Sequence, residues 1–187
     1  MLDSFRNPLT RRRLAVVAAS TPLAALEYAL PICLEAVHAA VAAGWEVWTA
    51  SAPGLNELLA AEAVECGGTV TIVLPNVAPV SHWTHVLRVV HGRAVRLITC
   101  ATTPRDQWRG LACMHYHEIL PVRLSLLAVA HVVVEGAAAA ILLPSGSAPD
   151  HVSEHAAWLC HLLLTPVFDA TTLGGLVALH EALPSTA

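Results

Sequence analysis

Residues 45–74 read WEVWTASAPGLNELLAAEAVECGGTVTIVL, and this stretch decides the fold. An apolar, strand-like run over 45–50 leads into a turn of small residues at 51–54, and a helical run follows over 55–66. Gly67 and Gly68 end that helix, and a β-branched run over 69–74 predicts the next strand. A strand, a helix and a strand at this spacing predict a β-α-β unit, whose two strands lie parallel in one sheet.

The same alternation extends in both directions from this unit. Further strands are predicted over 14–19, 94–100 and 166–169, and over one or both of the runs 131–135 and 138–143. Helices are predicted over 23–43, 82–91, 104–128 with a break at Pro121, 150–163 and 173–183. Repeated units of this kind predict a mainly parallel sheet with helices on both faces. Because 187 residues suit one domain, we expect a single Rossmann-like α/β domain over residues 1–187.

Composition excludes several classes of protein. Hydrophobic residues make up 56% of the chain and charged residues 13%, which excludes a disordered chain. The net charge of −4 argues against a broad basic face for duplex DNA. The mean hydropathy of +0.60 is high, but the longest weakly charged stretch, 124–144, carries His131 and Glu135 near its middle. Buried parallel strands explain such a run better than a membrane span, so we expect no membrane association.

The number and spacing of the cysteines indicate the cellular compartment, and the scarcity of charged residues indicates the oligomeric state. The five Cys are odd in number and form no CxxC pair, which favours reduced thiols and a cytoplasmic location over a disulfide framework. So few charges over so much apolar sequence predict a homodimer or a higher homo-oligomer.

Turns at the carboxyl ends of the strands carry most of the functional information, because ligands of parallel α/β sheets bind there. Ser51, Gly54 and Asn56 span a turn that leads straight into a helix, where backbone N–H groups and the helix dipole favour a phosphate. The loop Ser145-Gly146-Ser147 follows another predicted strand and would face the first turn. Ordinary tight turns of such a fold are the alternative for both segments.

A metal-binding interpretation competes with the phosphate one. His151, Glu154 and His155 fit an H-x-x-E-H pattern, in which two His one helical turn apart bind zinc and the Glu acts as general base. With eleven His in the chain, such a pair is expected by chance, and no third ligand stands out. We therefore expect no bound metal and no resident cofactor.

Several of these segments also resemble a known family. The run 13–20, the turn 51–56 and the Gly67-Gly68 pair before the strand 69–75 are similar to the DNA-processing protein A (DprA/Smf) and LOG, or lysine decarboxylase-like, proteins of the Rossmann-like superfamily. Arg123 followed by the run 126–135 is similar to the arginine, helix and "VVVEA"-like strand of the DprA family. The loop 145–147 and the run 166–168 resemble its second glycine loop and its last strand. The turn holds fewer glycines than the family prefers, so the chain is identified as a degenerate member.

Three alternative functions follow from the resemblance. The first is a DprA-like module that holds single-stranded DNA or a phosphorylated nucleotide through the turn 51–56 and the loop 145–147, with Arg123 as charge partner. The second is a LOG-like phosphoribohydrolase, in which Arg123 orients phosphate and Glu154 is the candidate acid or base. The third is a catalytically inert oligomeric scaffold. We expect the binding module rather than an enzyme, since the chain has no Lys and few acidic residues.

Overall fold

The computed structural model describes residues 12–18, 27, 29–52, 54–74, 96–99, 121–143, 151–170 and 172–182. The elements in this part of the chain are β1 (Arg13–Ala18), α1 (Ala29–Ala42), β2 (Glu46–Ala50), α2 (Leu55–Glu65), β3 (Thr69–Leu74), β4 (Arg96–Thr99), α3 (Pro121–Val134), β5 (Ala139–Leu143), α4 (His151–Leu162), β6 (Val167–Asp169) and α5 (Leu173–Ala182). They alternate as the β-α-β pattern predicts, and β3 has the bounds expected from the sequence. The helix predicted over 82–91 lies outside the described residues.

One sheet contains all the described strands, in the order β4-β3-β2-β1-β5-β6. Every pairing between neighbours in that order is parallel. The expected α/β class with a mainly parallel sheet is therefore confirmed. Strands β2 and β5 are buried along their whole length. The sequence of β5 is accordingly an unbroken apolar run, whereas β2 also contains the buried polar residues Glu46 and Thr49.

Helices cover both faces of the sheet, and successive strand residues alternate between the two faces. In β1, Leu14 and Val16 pack with residues of α1, α2 and α5, whereas Ala15 and Val17 pack with residues of α3 and α4. Each face thus has its own apolar layer, and the central strands lie between the two layers. The polar positions available for a ligand are accordingly at the ends of the strands.

The run 131–135 is the first of two runs of which one or both were predicted to be strands, and it forms the end of α3 and the start of the following turn instead. Residues up to Val134 are helical, and Glu135 and Gly136 form the turn that follows. Gly136 has a φ of 72°, the left-handed conformation that favours glycine just after a helix. Only the next run, Ala139–Leu143, forms a strand.

Burial explains why the valines in this run are helical. β-Branched residues favour strands, but Val133 and Val134 are fully buried against the second face of the sheet from a helix. Packing of that kind outweighs a local preference of a fraction of a kcal/mol per residue, about 0.5. The similarity of the run 132–135 to the "VVVEA" strand is therefore not a structural match, because these residues are not a strand here.

Helix α1 begins later than the run 23–43 predicts. Its first residue is Ala29, and Glu27 lies in a turn before it. Pro31 explains the difference, because proline lacks an N–H donor and is tolerated only in the first turn of a helix. A helix starting at residue 23 would place Pro31 in its interior.

Two further findings bear on the expectations from composition. Among the helices of the described residues, none is long and apolar enough to cross a membrane. Cys33 and Cys160 are buried thiols, and burial raises the pKa of each to about 11. Such thiols pack as small hydrophobic side chains and are poor nucleophiles at neutral pH.

Candidate functional site

The strand order places a topological switch point between β1 and β5. Strands β2, β3 and β4 lie on one side of β1, and β5 and β6 lie on the other. In such a sheet the connections leave β1 and β5 in opposite directions, and a crevice forms beyond the carboxyl ends of the strands. We call this edge, marked by the strand ends at Ala18, Ala50 and Leu143, the carboxyl edge.

Helices α2, α3 and α4 are among the helices that begin at the carboxyl edge. Helices α2 and α4 follow β2 and β5 directly, so both start there. The end of α3 is at the opposite edge, because the Arg13 guanidinium donates to the carbonyl oxygen of Glu135 at 3.3 Å and the Ala138 N–H donates to that of Arg13 at 2.8 Å. The first turn of α3 therefore points back to the carboxyl edge. Helix dipoles present partial positive charge at these starts.

Asn56, in the first turn of α2, joins that helix to the end of β1. Its amide nitrogen donates to the carbonyl oxygen of Ala18 at 2.8 Å, and its amide oxygen accepts from the Ala18 N–H at 3.1 Å. The Thr49 hydroxyl donates to the same amide oxygen at 3.1 Å. The side chain is fully buried, and it continues the β1–β2 ladder past its last residue pair, Val16 and Thr49.

Ser51 and Gly54 form the turn between β2 and α2. Ser51 is buried, and its N–H donates to the carbonyl oxygen of Val73 at 3.1 Å, which extends the pairing of β2 with β3. Gly54 is the N-cap of α2, and its φ of 97° and ψ of −130° form a conformation that residues with side chains rarely adopt. Since glycine offers no side chain to cap the helix, a ligand at this point would meet backbone N–H groups.

The other predicted residues lie around the same edge. Arg123 is in the first turn of α3, and Glu154 is an exposed residue in the first turn of α4. The side chain of Arg123 and the whole loop Ser145-Gly146-Ser147 lie outside the described part of the chain. The structure thus brings the first turns that carry the predicted residues to one edge of the sheet. It also places Glu57, an acidic residue, in the first turn of α2.

His155 of the H-x-x-E-H pattern packs as a buried ring. It is 2% exposed and stacks on Trp158, with ring centroids 5.7 Å apart and an interplanar angle of 28°. Burial, and to a lesser extent the charge of His131, lowers the pKa of His155 to about 4. The imidazole is therefore neutral at pH 7. The side chain of His151 lies outside the described part, so the zinc interpretation of this pair stays a sequence hypothesis.

Comparison with solved structures fixes the fold. The chain is similar to TM1055, an X-ray structure from the Northeast Structural Genomics Consortium, with a TM-score of 0.53 and 17% identity. The match covers 84% of this chain and 72% of TM1055. The chain has a Rossmann-like fold.

A second solved structure is more distant. The molybdenum cofactor carrier protein MCP from Chlamydomonas reinhardtii has a TM-score of 0.40 and 19% identity, over 92% of this chain and 98% of that one. No family profile matches the chain, and no curated protein matches it. The assignment of the Rossmann-like fold therefore rests on the sheet itself and on TM1055.

Buried His155 should make the stability of this Rossmann-like fold depend on pH. Its pKa is about 4 in the folded protein and 6.5 as the ordinary value. Between these values the unfolded chain binds a proton that the folded chain does not, so the free energy of unfolding falls as pH falls from 6.5 towards 4. We expect wild type to lose about 2 kcal/mol more than His155→Phe between pH 7 and pH 5. Urea unfolding at the two pH values measures this difference.

The His155→Phe variant is the control for the ionisable groups near His155. His131 lies on α3, which packs beside α4, and Glu135 is the first residue after α3. Glu154 adjoins His155 in sequence. These groups are present in both proteins, so the comparison isolates the contribution of His155. Equal losses of stability in wild type and His155→Phe would show that His155 does not cause the pH dependence.

The role of Asn56 as a bridge between α2 and β1 is the part of the site that the sequence did not predict. The sequence singled out Asn56 for phosphate contact, but its side chain is taken up by Ala18 and Thr49. Any contact of Asn56 with a phosphate would be made by its backbone N–H. One local signal is available, because a polar amide between Leu55 and Leu59, both fully buried, predicts a buried and hydrogen-bonded Asn.

Proposed function

We propose that this protein is a degenerate DprA/LOG-like member of the Rossmann-like superfamily that holds the phosphate of a nucleotide or of single-stranded DNA at the carboxyl edge. The observation that carries the proposal is the fixed position of the first turn of α2. Its N-cap is Gly54, and Asn56 ties the turn to the end of β1, the strand that borders the switch point.

A phosphate at Gly54 would be stabilised by the backbone N–H groups at the start of α2 and by the dipole of that helix. Without a Cβ at the N-cap, a phosphate oxygen can approach the first N–H groups of α2 closely. The dipole of an α-helix contributes about 0.3–1 kcal/mol to an exposed charge at its start, and more where the charge is partly buried. The buried amide of Asn56 keeps this turn in place before a ligand arrives, which reduces the ordering cost of binding.

A phosphate bound at the carboxyl edge would also need a positively charged side chain nearby. Glu57 lies one residue beyond Asn56 in the same helical turn and would repel a phosphate bound there. Arg123, in the first turn of α3 at the same edge, is the charge partner that we propose to offset this repulsion. The loop Ser145-Gly146-Ser147 lies between β5 and α4 in the sequence and is proposed as the opposite wall.

Gly54→Asp tests the phosphate site directly. A carboxylate at the N-cap would repel the phosphate and would occupy the space that glycine leaves open. We expect affinity for nucleoside monophosphates or short single-stranded oligonucleotides to fall at least about tenfold, which corresponds to about 1.4 kcal/mol. Isothermal titration calorimetry measures the change.

Two control variants separate charge from backbone strain. Gly54→Ala imposes the same strained conformation without a charge, so it should lose less affinity than Gly54→Asp. Gly44→Asp places a carboxylate on another glycine of positive φ, 76°, at the opposite end of β2, and should leave binding unchanged. Absence of nucleotide and oligonucleotide binding by wild type, or equal affinities of wild type and Gly54→Asp, would contradict the proposal.

A LOG-like hydrolase is the second candidate, and one observation favours it. Helices α3 and α4 pack against each other, and the first turns that carry Arg123 and Glu154 both lie at the carboxyl edge. Glu154 is exposed and accessible to a ligand there. Chromatography of a nucleoside monophosphate incubated with the protein distinguishes the two candidates, because only the hydrolase releases a free base.

The proposed partner of the apolar surface near β6 is a second copy of the chain. Large apolar side chains are exposed at the end of α4, on β6 and on α5: Leu162, Leu163, Leu164, Val167, Leu173 and Val177. In the described sheet β6 is an edge strand, and an uncovered apolar edge favours association. We expect light scattering to give at least the mass of a dimer at micromolar concentration, and a monomer would contradict this assembly.

A further inference from the structure

A cluster of three metal-ligating side chains lies at the edge opposite to the carboxyl edge. His38 comes from α1, and Glu62 and Cys66 come from the last turn of α2 and the residue after it. The His38 Nε2 is 2.6 Å from a Glu62 carboxylate oxygen, and the Cys66 thiol donates to the same oxygen at 3.8 Å. One donor atom from each side chain lies within 4.8 Å of the other two.

Helix geometry and one close packing contact hold these side chains together. Glu62 and Cys66 are four residues apart, so they share one face of α2. Gly68, just beyond α2, lets α1 pack closely, because a Cβ there would lie 2.6 Å from a methyl carbon of Val41 and 2.8 Å from the Ala63 carbonyl oxygen. This contact holds the end of α1, and with it His38, against the end of α2.

The charges at this position favour a cation. Helices α1 and α2 both end at this edge, and neither has a basic residue in its last turn to offset the negative end of its dipole. Glu62 adds a carboxylate to the cluster, and Glu65 adjoins Cys66 in sequence. All three side chains of the cluster reach solvent, so an ion could enter without unfolding.

We propose that His38, Glu62 and Cys66 form a binding site for a zinc-class divalent transition-metal ion that joins the ends of α1 and α2. Imidazole nitrogen, carboxylate oxygen and thiolate sulfur are the zinc donors of proteins, with Zn–N and Zn–O distances of about 2.0–2.2 Å and Zn–S of about 2.3 Å. A tetrahedral ion would therefore separate its donors by about 3.3–3.6 Å. The N–O and S–O distances of 2.6 and 3.8 Å reach this range through small side-chain rotations.

The donor set also determines which ion binds. Magnesium and calcium require oxygen ligands, whereas a thiolate and an imidazole select zinc, cobalt or a similar ion. Three protein donors leave the fourth tetrahedral position to water or to an outside ligand. The site is independent of the proposed phosphate site, because the two lie at opposite edges of the sheet.

Metal titration of the untagged full chain tests the proposal. Calorimetry with Zn²⁺ should give one equivalent bound, with a Kd of about 1 μM or lower, and Co²⁺ should give a thiolate-to-cobalt absorption band. Cys66→Ser should abolish the band. Both Cys66→Ser and His38→Gln should weaken Zn²⁺ binding at least about 100-fold, because losing a residue that merely orients a metal ligand already costs up to about 100-fold. His161→Gln is the control, because His161 is exposed at the end of α4.

A second measurement covers the case of a variant that folds poorly. Cys66 is exposed whereas Cys33 and Cys160 are buried, so alkylation of the wild-type protein followed by peptide mass spectrometry reports on Cys66 alone among these three. Saturating Zn²⁺ should slow alkylation of Cys66 at least about tenfold, because a bound thiolate cannot react. Failure of Zn²⁺ to bind with one equivalent, or to protect Cys66, would overturn the proposal, as would a Cys66→Ser variant with unchanged affinity.

Discussion

Replacing Asn56 by alanine is expected to lower the free energy of unfolding by about 4 kcal/mol. The amide of Asn56 both donates to and accepts from the backbone of Ala18, and all of these groups are buried. Its removal leaves a buried N–H and a buried C=O without this partner, and each unsatisfied group costs about 1–3 kcal/mol. Urea unfolding followed by far-UV circular dichroism measures the loss.

Asn56→Asp and Thr49→Val are the matched variants for this test. Asp has nearly the shape of Asn but replaces the donor with an oxygen that faces the Ala18 carbonyl oxygen, so we expect a loss as large as for alanine. Thr49→Val removes only the hydroxyl that donates to Asn56, and about 1 kcal/mol should be lost. If Asn56→Asp were within about 0.5 kcal/mol of wild type, the bridge would not stabilise the fold.

The same bridge connects fold and proposed function. It fixes the start of α2 relative to the end of β1, and these two points border the crevice of the Rossmann-like sheet. An Asn56 variant that remains folded should therefore also bind phosphate ligands more weakly, through a less ordered turn.

The sequence predicted the sheet and its direction because local signals agreed with one another. Turn glycines bound the segment 55–66, and the strand on each side of it is a short run rich in β-branched and aromatic residues. Where the apolar runs 131–135 and 138–143 followed one another with only Gly136 and Ala137 between them, the pattern could not distinguish strand from helix. The sequence therefore left open whether the run 131–135 is a strand, because a buried helix and a buried strand have the same hydrophobicity.

Contacts between distant segments could not be predicted in this way. Asn56 and Ala18 are 38 residues apart, and His38 and Glu62 are 24 residues apart. Each pair depends on how a helix rotates against its neighbour, and that rotation is set by packing contacts such as the one at Gly68. The sequence could identify polar residues near strand ends, but it could not distinguish a side chain that contacts a ligand from one that holds the turn.

Gly175→Ala is expected to destabilise the protein by about 3 kcal/mol, because α5 lies directly against the end of β6. A Cβ at Gly175 would overlap the carbonyl oxygen of Asp169 and would lie 2.8 and 2.9 Å from its carbonyl carbon and its nitrogen. These are backbone atoms, which cannot rotate away. The helix start is also held in place, since the Thr172 hydroxyl accepts from the Gly175 N–H at 3.0 Å and donates to the Asp169 carbonyl oxygen at 3.1 Å.

Gly174→Ala is the control one position earlier in the same helix. A Cβ at Gly174 meets no atom within 4 Å, and alanine favours helix over glycine by up to about 1 kcal/mol, so this variant should be as stable as wild type or slightly more stable. Urea unfolding should therefore separate the two alanine variants by at least about 3 kcal/mol. Similar stabilities for both would mean that α5 can move away from β6 at little cost, and Gly175 would then not fix the position of the last helix.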